Sequence, residues 1–303
     1  MNSTIGLRIA AALSAAILAG PATAQPMFAD PAKEPAVQGQ NPAGMRVYIR
    51  AGLKSHGEGE HDYPQFLADW SKILTEHGAV VDGSFHAPTA EELARTDVIV
   101  MYKGDAGYMT DAERAALDAF VKRGGGIIAI HDALCGPDPA AFARYVGAGK
   151  LHGQVNFTLT APITYTITDP ASPIMKGMGN ITITDEAFYA MTWASNPSVH
   201  VLATTVIPDT KAARMGNAVG QVVPQIWTYE HSMAGGKPTR AFVWLQGHST
   251  TNMEKPEIRA MLLRAIAWAA RRPVDELVDY KPAPAPEIPA SMRSLAPASS
   301  PQN

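Results

Sequence analysis

The residues of this chain best able to do chemistry are histidines and carboxylates at loop-like positions. His131 and Asp132 follow Gly124-Gly125-Gly126 and the run Ile127-Ile128-Ala129-Ile130. That run has the length and β-branched content of a buried strand. Ligands in open parallel sheets bind just beyond the carboxyl ends of strands, which is where these two residues stand. His248 follows a second apolar run, residues 242–247, and ends another predicted strand. His61 closes Ser55-His56-Gly57-Glu58-Gly59-Glu60-His61, a glycine-rich loop after the first predicted strand. His152 lies in the glycine-flanked Gly149-Lys150-Leu151-His152-Gly153. Asp185 and Glu186 interrupt the strand-like 183–189, and a buried carboxylate there needs a partner such as a histidine or a metal.

Imidazole and carboxylate are the usual general acids and bases near neutral pH, and they also bind zinc and other divalent metals. A metal is therefore compatible with this set. No close H-x-x-x-H spacing occurs, so such a site would be assembled from distant loops. His77, His86 and His200 sit in helix-end or surface contexts and are given no role; His231, in Glu230-His231-Ser232, is open either way. There is no P-loop, no G-x-G-x-x-G after a strand and no G-x-S-x-G elbow.

The elements that must position these groups can be read in order. Residues 45–50 predict a strand and 51–62 a loop. A helix follows, with Asp62 and Gln65 as its cap and Phe66, Leu67, Trp70, Ile73 and Leu74 as its apolar stripe. Strands are expected at 79–85 and 97–102. Two capping boxes, Thr89/Glu92 and Thr110/Glu113, open helices. The resulting β-α-β-α-β-α-β order is that of a parallel sheet with helices on both faces. Asp138-Pro139 starts another helix. Strands are then expected at 157–168, 181–189, 199–207, 221–229 and 240–245, some extending the sheet and others forming hairpins, before a last helix at 257–270.

Residues 1–24 read as a secretory signal, with Arg8, an apolar stretch and Ala22-Thr23-Ala24 as the cleavage site. A periplasmic or secreted location follows, with no membrane partner after cleavage. Residues 25–44 read as a linker, 45–280 as one domain, and 281–303 as a disordered Pro/Ala/Ser-rich tail. Cys135 is the single cysteine, so an internal disulfide is excluded. A hydrophobic fraction of 46% supports a core, and a net charge of -3 without a basic run argues against nucleic acid.

Together these motifs resemble the ThuA-like family, named for trehalose utilisation, of the class I glutamine amidotransferase-like superfamily. The resemblance spans about 46–277 and rests on ordered motifs. They are Ser55-His56-Gly57, His61-Asp62, Asp97-Val98-Ile99-Val100, Gly124 to His131, and His152. Ser172-Pro173-Ile174 with Gly177, Asp185-Glu186 with Tyr189, Pro224-Gln225-Ile226-Trp227, Gly247-His248 and Ile266-Ala267-Trp268-Ala269 complete them. It implies an α/β fold, a flavodoxin-like three-layer sandwich with a mostly parallel sheet and extra β-hairpins in the second half. The amidotransferases carry their nucleophilic cysteine where His131 stands, and Cys135 lies four residues on, so thiolate-dependent glutamine hydrolysis is not expected. The resemblance further implies metabolism of trehalose and related disaccharides, often beside oxidoreductases that make 3-keto sugars.

The expectation is thus an exported enzyme acting on a glycoside, disaccharide or keto-sugar. His61, His131, Glu186 and His248 would be catalytic, and Asp132, His152, Asp185, Tyr189 and Trp227 would bind substrate. The rival expectations are a periplasmic sugar-binding protein without turnover and a metal-dependent hydrolase of another class.

Overall fold

The computed structural model describes residues 43–195 and 198–281. The predicted leader, nearly all of the linker and nearly all of the tail lie outside the described residues. In chain order the first elements are β1 (Arg46–Ala51), α1 (Tyr63–Glu76), β2 (Val80–Ser84), α2 (Ala90–Ala94), β3 (Val98–Tyr102), α3 (Asp111–Lys122) and β4 (Gly126–Ile130). Next come β5 (Cys135–Gly136), α4 (Pro139–Val146), β6 (Ala148–Leu151), β7 (Ala161–Ile167), β8 (Thr182–Asp185) and β9 (Thr192–Trp193). The chain continues with β10 (Val199–Val206), α5 (Lys211–Met215), β11 (Val222–Ser232), β12 (Pro238–Trp244) and α6 (Pro256–Ala269).

The main sheet has the order β2-β1-β3-β4-β12-β11-β10-β7-β8. Its first five strands are parallel. The other four run antiparallel to their neighbours. The fold is therefore a mixed α/β sheet whose parallel strands form the half that carries the histidines. The β11–β12 connection is short, which forces an antiparallel hairpin, and the later strands extend the one sheet. A small separate sheet, β5-β6-β9, was not expected.

Side chains alternate along the parallel strands into two cores. Val47, Ile49, Val100, Ile128, Ile130, Phe242 and Trp244 pack with residues of α1 and α6. Tyr48, Ile99, Met101, Ile127, Ala129 and Val243 pack with residues of α2, α3 and α4. The strands β3 and β4 are buried throughout, as apolar runs between two cores must be. Among the described residues no helix is long and apolar enough to cross a membrane.

Local expectations divide on one physical point. Both threonine capping boxes form, at Thr89/Glu92 and Thr110/Glu113. The Asp62 cap does not: its backbone sits at φ -83°, ψ 59°, outside the extended range an N-cap needs, and its side chain makes no cap hydrogen bond. Gln65 donates to Asp69 instead (2.9 Å). The strand expected at 181–189 stops at Asp185, whose carboxylate takes up the next backbone N–H.

Candidate metal centre and surrounding cleft

Three parallel strands deliver the site. Trp244 of β12 lies beside Ile130 of β4, so the loops leaving both strands start side by side. His131 follows Ile130, and His248 comes four residues after Trp244. β1 sits one strand further along, beyond β3, and its loop brings in His61. The His61 N–H donates to the His248 carbonyl at 2.9 Å, tying two of the loops together. His61 and His131 have φ of 43° and 54°, a left-handed backbone that non-glycine residues seldom adopt. For His131 this is a sharp strand-to-turn bend.

All three side chains are buried: His61 is 3%, His131 0% and His248 5% exposed. His61 Nε2 lies 2.9 Å from His131 Nε2 and 3.0 Å from His248 Nδ1. Their outer nitrogens decide what faces inward. His131 Nδ1 is 3.0 Å from the Leu245 carbonyl oxygen, which only accepts, so Nδ1 carries the proton and Nε2 turns a lone pair inward. His248 Nε2 faces Glu60 Oε1 at 3.4 Å, so its Nδ1 also turns a lone pair inward. His61 Nδ1 is held by Ser55 Oγ at 3.2 Å. One Nε2 carries at most one hydrogen, and it cannot serve both inward lone pairs well. A divalent cation satisfies all three nitrogens, which lie within 4.8 Å of one another.

Burial keeps these rings neutral, the form that binds metals. Burial and the neighbouring His131 lower His61 to about 2. Burial lowers His131 to about 4, against the opposing pull of Asp132. His248 is lowered for the same first reason, although Glu60 opposes it.

Of the cluster, His61 reaches the wall of a cleft of about 410 Å³, which is also lined by His56, Asp132, Cys135, Lys150, His152, Phe157 and Glu186. Asp132 Oδ2 is 3.8 Å from His61 Nε2 and 4.0 Å from His131 Nε2. His131 opens a single 3-10 turn, which lets adjacent His131 and Asp132 face the same way, as a strand would not. Glu186 Oε2 is 3.8 Å from His248 Nδ1. Burial alone would raise the Asp132 carboxyl, but His131, Lys150 and the Cys135 thiol hold it well below the carboxylate range. Burial, helped by the Asp132 charge, pushes Glu186 up to about 7. The two carboxyl groups are thus driven apart, a separation that lets one stay ionised while the other exchanges protons. Lys150 places its Nζ 3.4 Å from Asp132 Oδ1 and 3.7 Å from the centre of the Phe188 ring. At the mouth, His152 Nδ1 meets Asp105 Oδ1 at 2.6 Å.

Of the residues singled out in the sequence, His61, His131, His248, Glu186 and Asp132 converge, and His152 sits on the rim. The other three, like His131 and His248, do not line the cleft. Asp185 is 0% exposed. It accepts N–H groups from Glu186, Gly247, His248, Ser249 and the Asn252 amide, so it holds the loop that carries His248. Burial pushes it up to about 6, against those donors. Trp227 is fully buried and its Nε1 donates to the Val146 carbonyl at 2.8 Å, leaving no open face. Tyr189 is buried and its hydroxyl donates to the Ala212 carbonyl at 3.1 Å. Cys135 is buried, donates to Asp132 Oδ1 at 3.1 Å, and its thiol is pushed up by burial, away from nucleophilic use. His56, Glu60, Lys150 and Asp105 belong to the site but were not assigned to it. Lys150 had a readable signal: it stands two residues before His152 on an extended stretch, hence on the same face.

No curated protein sequence matches the chain significantly. Among solved structures, a ThuA-like protein from Parabacteroides merdae ATCC 43184 superposes with TM-score 0.57 at 17% identity, covering 75% of this chain and 90% of that one. A ThuA-like protein from Bacteroides uniformis ATCC 8492 gives TM-score 0.54 at 18% identity, with coverage of 74% and 91%. At such identities the likeness is one of fold. The family model for ThuA, described as trehalose utilisation, matches residues 53–269. That span contains His61, His131, Glu186 and His248 and the strands that deliver them, and the chain belongs to the ThuA family.

Proposed function

We propose that this chain is an exported, metal-dependent enzyme that acts on a glycoside, disaccharide or keto-sugar. The observation that carries this reading is the convergence of three buried, neutral imidazoles whose ring nitrogens face one another at 2.9 and 3.0 Å. A divalent cation held by His61, His131 and His248 would supply an electrophile for a substrate oxygen and would acidify water. The role of His131 then shifts from the proton transfer expected of it or Glu186 to ligation, beside His61 and His248.

Proton transfer falls to Glu186, which lines the cleft and is raised to about 7, near the operating pH that favours acid–base exchange. Asp132 stays anionic beside Lys150 and the cluster, where it orients the imidazoles and offers an acceptor for a hydroxyl. His152, braced by Asp105 at the rim, is placed to hold a substrate group at the mouth. The charged and hydrogen-bonding side chains of this cleft suit a polyhydroxylated substrate, and the family description of trehalose utilisation supports that class. The reaction types that fit are hydrolysis, elimination and isomerisation. The two cores on opposite faces of the sheet support a flavodoxin-like three-layer arrangement, and the leader-like residues 1–24 support export.

The test combines elemental analysis of the purified protein with turnover of trehalose and its 3-keto derivative. The expected result is about one equivalent of divalent metal per chain, with turnover abolished in His131→Ala and in Glu186→Gln. Wild-type turnover in metal-stripped protein would refute the metal, and wild-type turnover in Glu186→Gln would refute the acid–base role.

A further inference from the structure

A second cluster of charge lies away from the histidines, on the α2/α3 face of the sheet. Arg50, near the end of β1, and Lys103, directly after β3, both line a small hollow of about 40 Å³ that opens to solvent. The remaining wall is largely apolar and includes Leu93, Ile99, Met101, Met109 and Leu117. Arg50 Nη1 is buried and has no hydrogen-bond partner among the described residues. Lys103 Nζ donates to two carbonyl oxygens, of Gly104 (2.5 Å) and Asp105 (3.0 Å), and neither carries a charge. The one acid in the lining, Glu113, is engaged as a helix cap, accepting the Thr110 N–H at 2.7 Å. Burial lowers both basic groups from their ordinary values, although Glu113 opposes it at each and Asp105 opposes it at Lys103.

A buried guanidinium nitrogen without a partner is costly, and in folded proteins such groups are paired. Here the missing partner is an anion. The apolar wall sets the rest of its chemistry: a phosphate or sulfate would satisfy the cations and leave the wall wet, whereas an acid with a hydrocarbon body would satisfy both. We propose that this hollow is a second ligand site, for a small aliphatic or aromatic monocarboxylate whose acid group meets Arg50 and Lys103 and whose body lies against Met101, Met109 and Leu117. The site is independent of the histidine centre. It shares one loop with it, because Asp105, two residues after Lys103, donates its N–H to the Asp132 carbonyl and holds His152.

The experiment is calorimetry and thermal melting of the full chain with hexanoate and benzoate, set against hexanol and inorganic phosphate. Hexanoate or benzoate is expected to bind saturably and raise the melting temperature, while hexanol and phosphate do neither. Arg50→Met should weaken carboxylate binding roughly tenfold to hundredfold, the loss of one charge-assisted contact. It should still fold, since a linear apolar side chain replaces a partly unsatisfied guanidinium. Lys103→Met is the second variant, with a loss of the same direction. Failure of both carboxylates to bind would overturn the proposal. So would equal binding of hexanol, equal binding of phosphate, or unchanged carboxylate binding in both variants.

Discussion

Asp185→Asn is the sharpest test of how the histidine centre is built. The Asp185 Oδ1 atom accepts the N–H groups of Glu186 (2.8 Å) and His248 (3.2 Å). Oδ2 accepts the Ser249 N–H (3.3 Å) and the Asn252 amide (2.7 Å). The Gly247 N–H lies 3.3 and 3.2 Å from the two oxygens. Asparagine turns one of these oxygens into an NH2 group, and on either side that group meets at least two donors head-on. Asn252 cannot rotate its own oxygen into place without losing its bond to the Thr184 carbonyl at 2.9 Å. Two hydrogen bonds to a buried charge are lost, each worth about 1.5–3 kcal/mol, so the expected destabilisation is roughly 3–6 kcal/mol. That is a large part of the about 5–15 kcal/mol that holds a domain folded. The assay is urea unfolding above the Asp185 value of about 6, for instance near pH 8, so that the wild-type carboxylate is ionised. A zinc titration of the folded protein should show roughly tenfold to hundredfold weaker binding, because His248 loses the loop that aims it. A variant within about 1 kcal/mol of wild type would refute the hydrogen-bond reasoning. Lower stability with unchanged zinc affinity would refute the link from Asp185 to His248.

Three further outcomes follow from the structure. His61→Leu should leave metal-free protein near wild-type stability, since it removes an imidazole from between two inward lone pairs; zinc at about 100 times its dissociation constant should stabilise the wild type by about 2.7 kcal/mol and the variant not at all, as read by melting with and without EDTA. His231 has both ring nitrogens buried without a partner among the described residues, and burial lowers it from 6.5 to about 4. Below 6.5 the unfolded chain takes up its proton first, so the wild type should lose stability relative to His231→Phe as pH falls from 6.5 towards 4; parallel stability curves through that window would show the assignment to be mistaken. Gly149→Ala places a Cβ atom 2.2 Å from the Pro139 carbonyl oxygen, which should lower stability by about 1–3 kcal/mol in a thermal or urea melt; an unchanged midpoint would mean that the β6–α4 contact yields freely.

What could be read from the chain and what could not divide by the range of the interaction. The ends of β4 and β12 are local events, an apolar run that stops at a polar residue, and so His131 and His248 stood out as strand-terminal groups. The pairing of β12 beside β4 spans more than a hundred residues and leaves no local trace. For that reason the three imidazoles could be named as chemistry-bearing but not as a single ligand set. Asp185 shows the same limit from the other side. Its sequence context demands a partner for a buried carboxylate, and the demand is met, yet by four backbone N–H groups and the Asn252 amide rather than by a histidine or a metal. His56 and Glu60 were passed over because a glycine-rich polar loop has the composition of an ordinary solvated one; only the sidewise bridge of Glu60 to Ser249 reveals that this loop is folded back onto the strand ends. Trp227 misled in the opposite sense, since an aromatic residue on a strand is equally suited to a sugar face and to a core, and its neighbours decide. The type of group at a strand end is a property of the segment. Its partner is a property of strand order, so a centre made of residues 61, 131 and 248 exists only once β12 has taken its place beside β4.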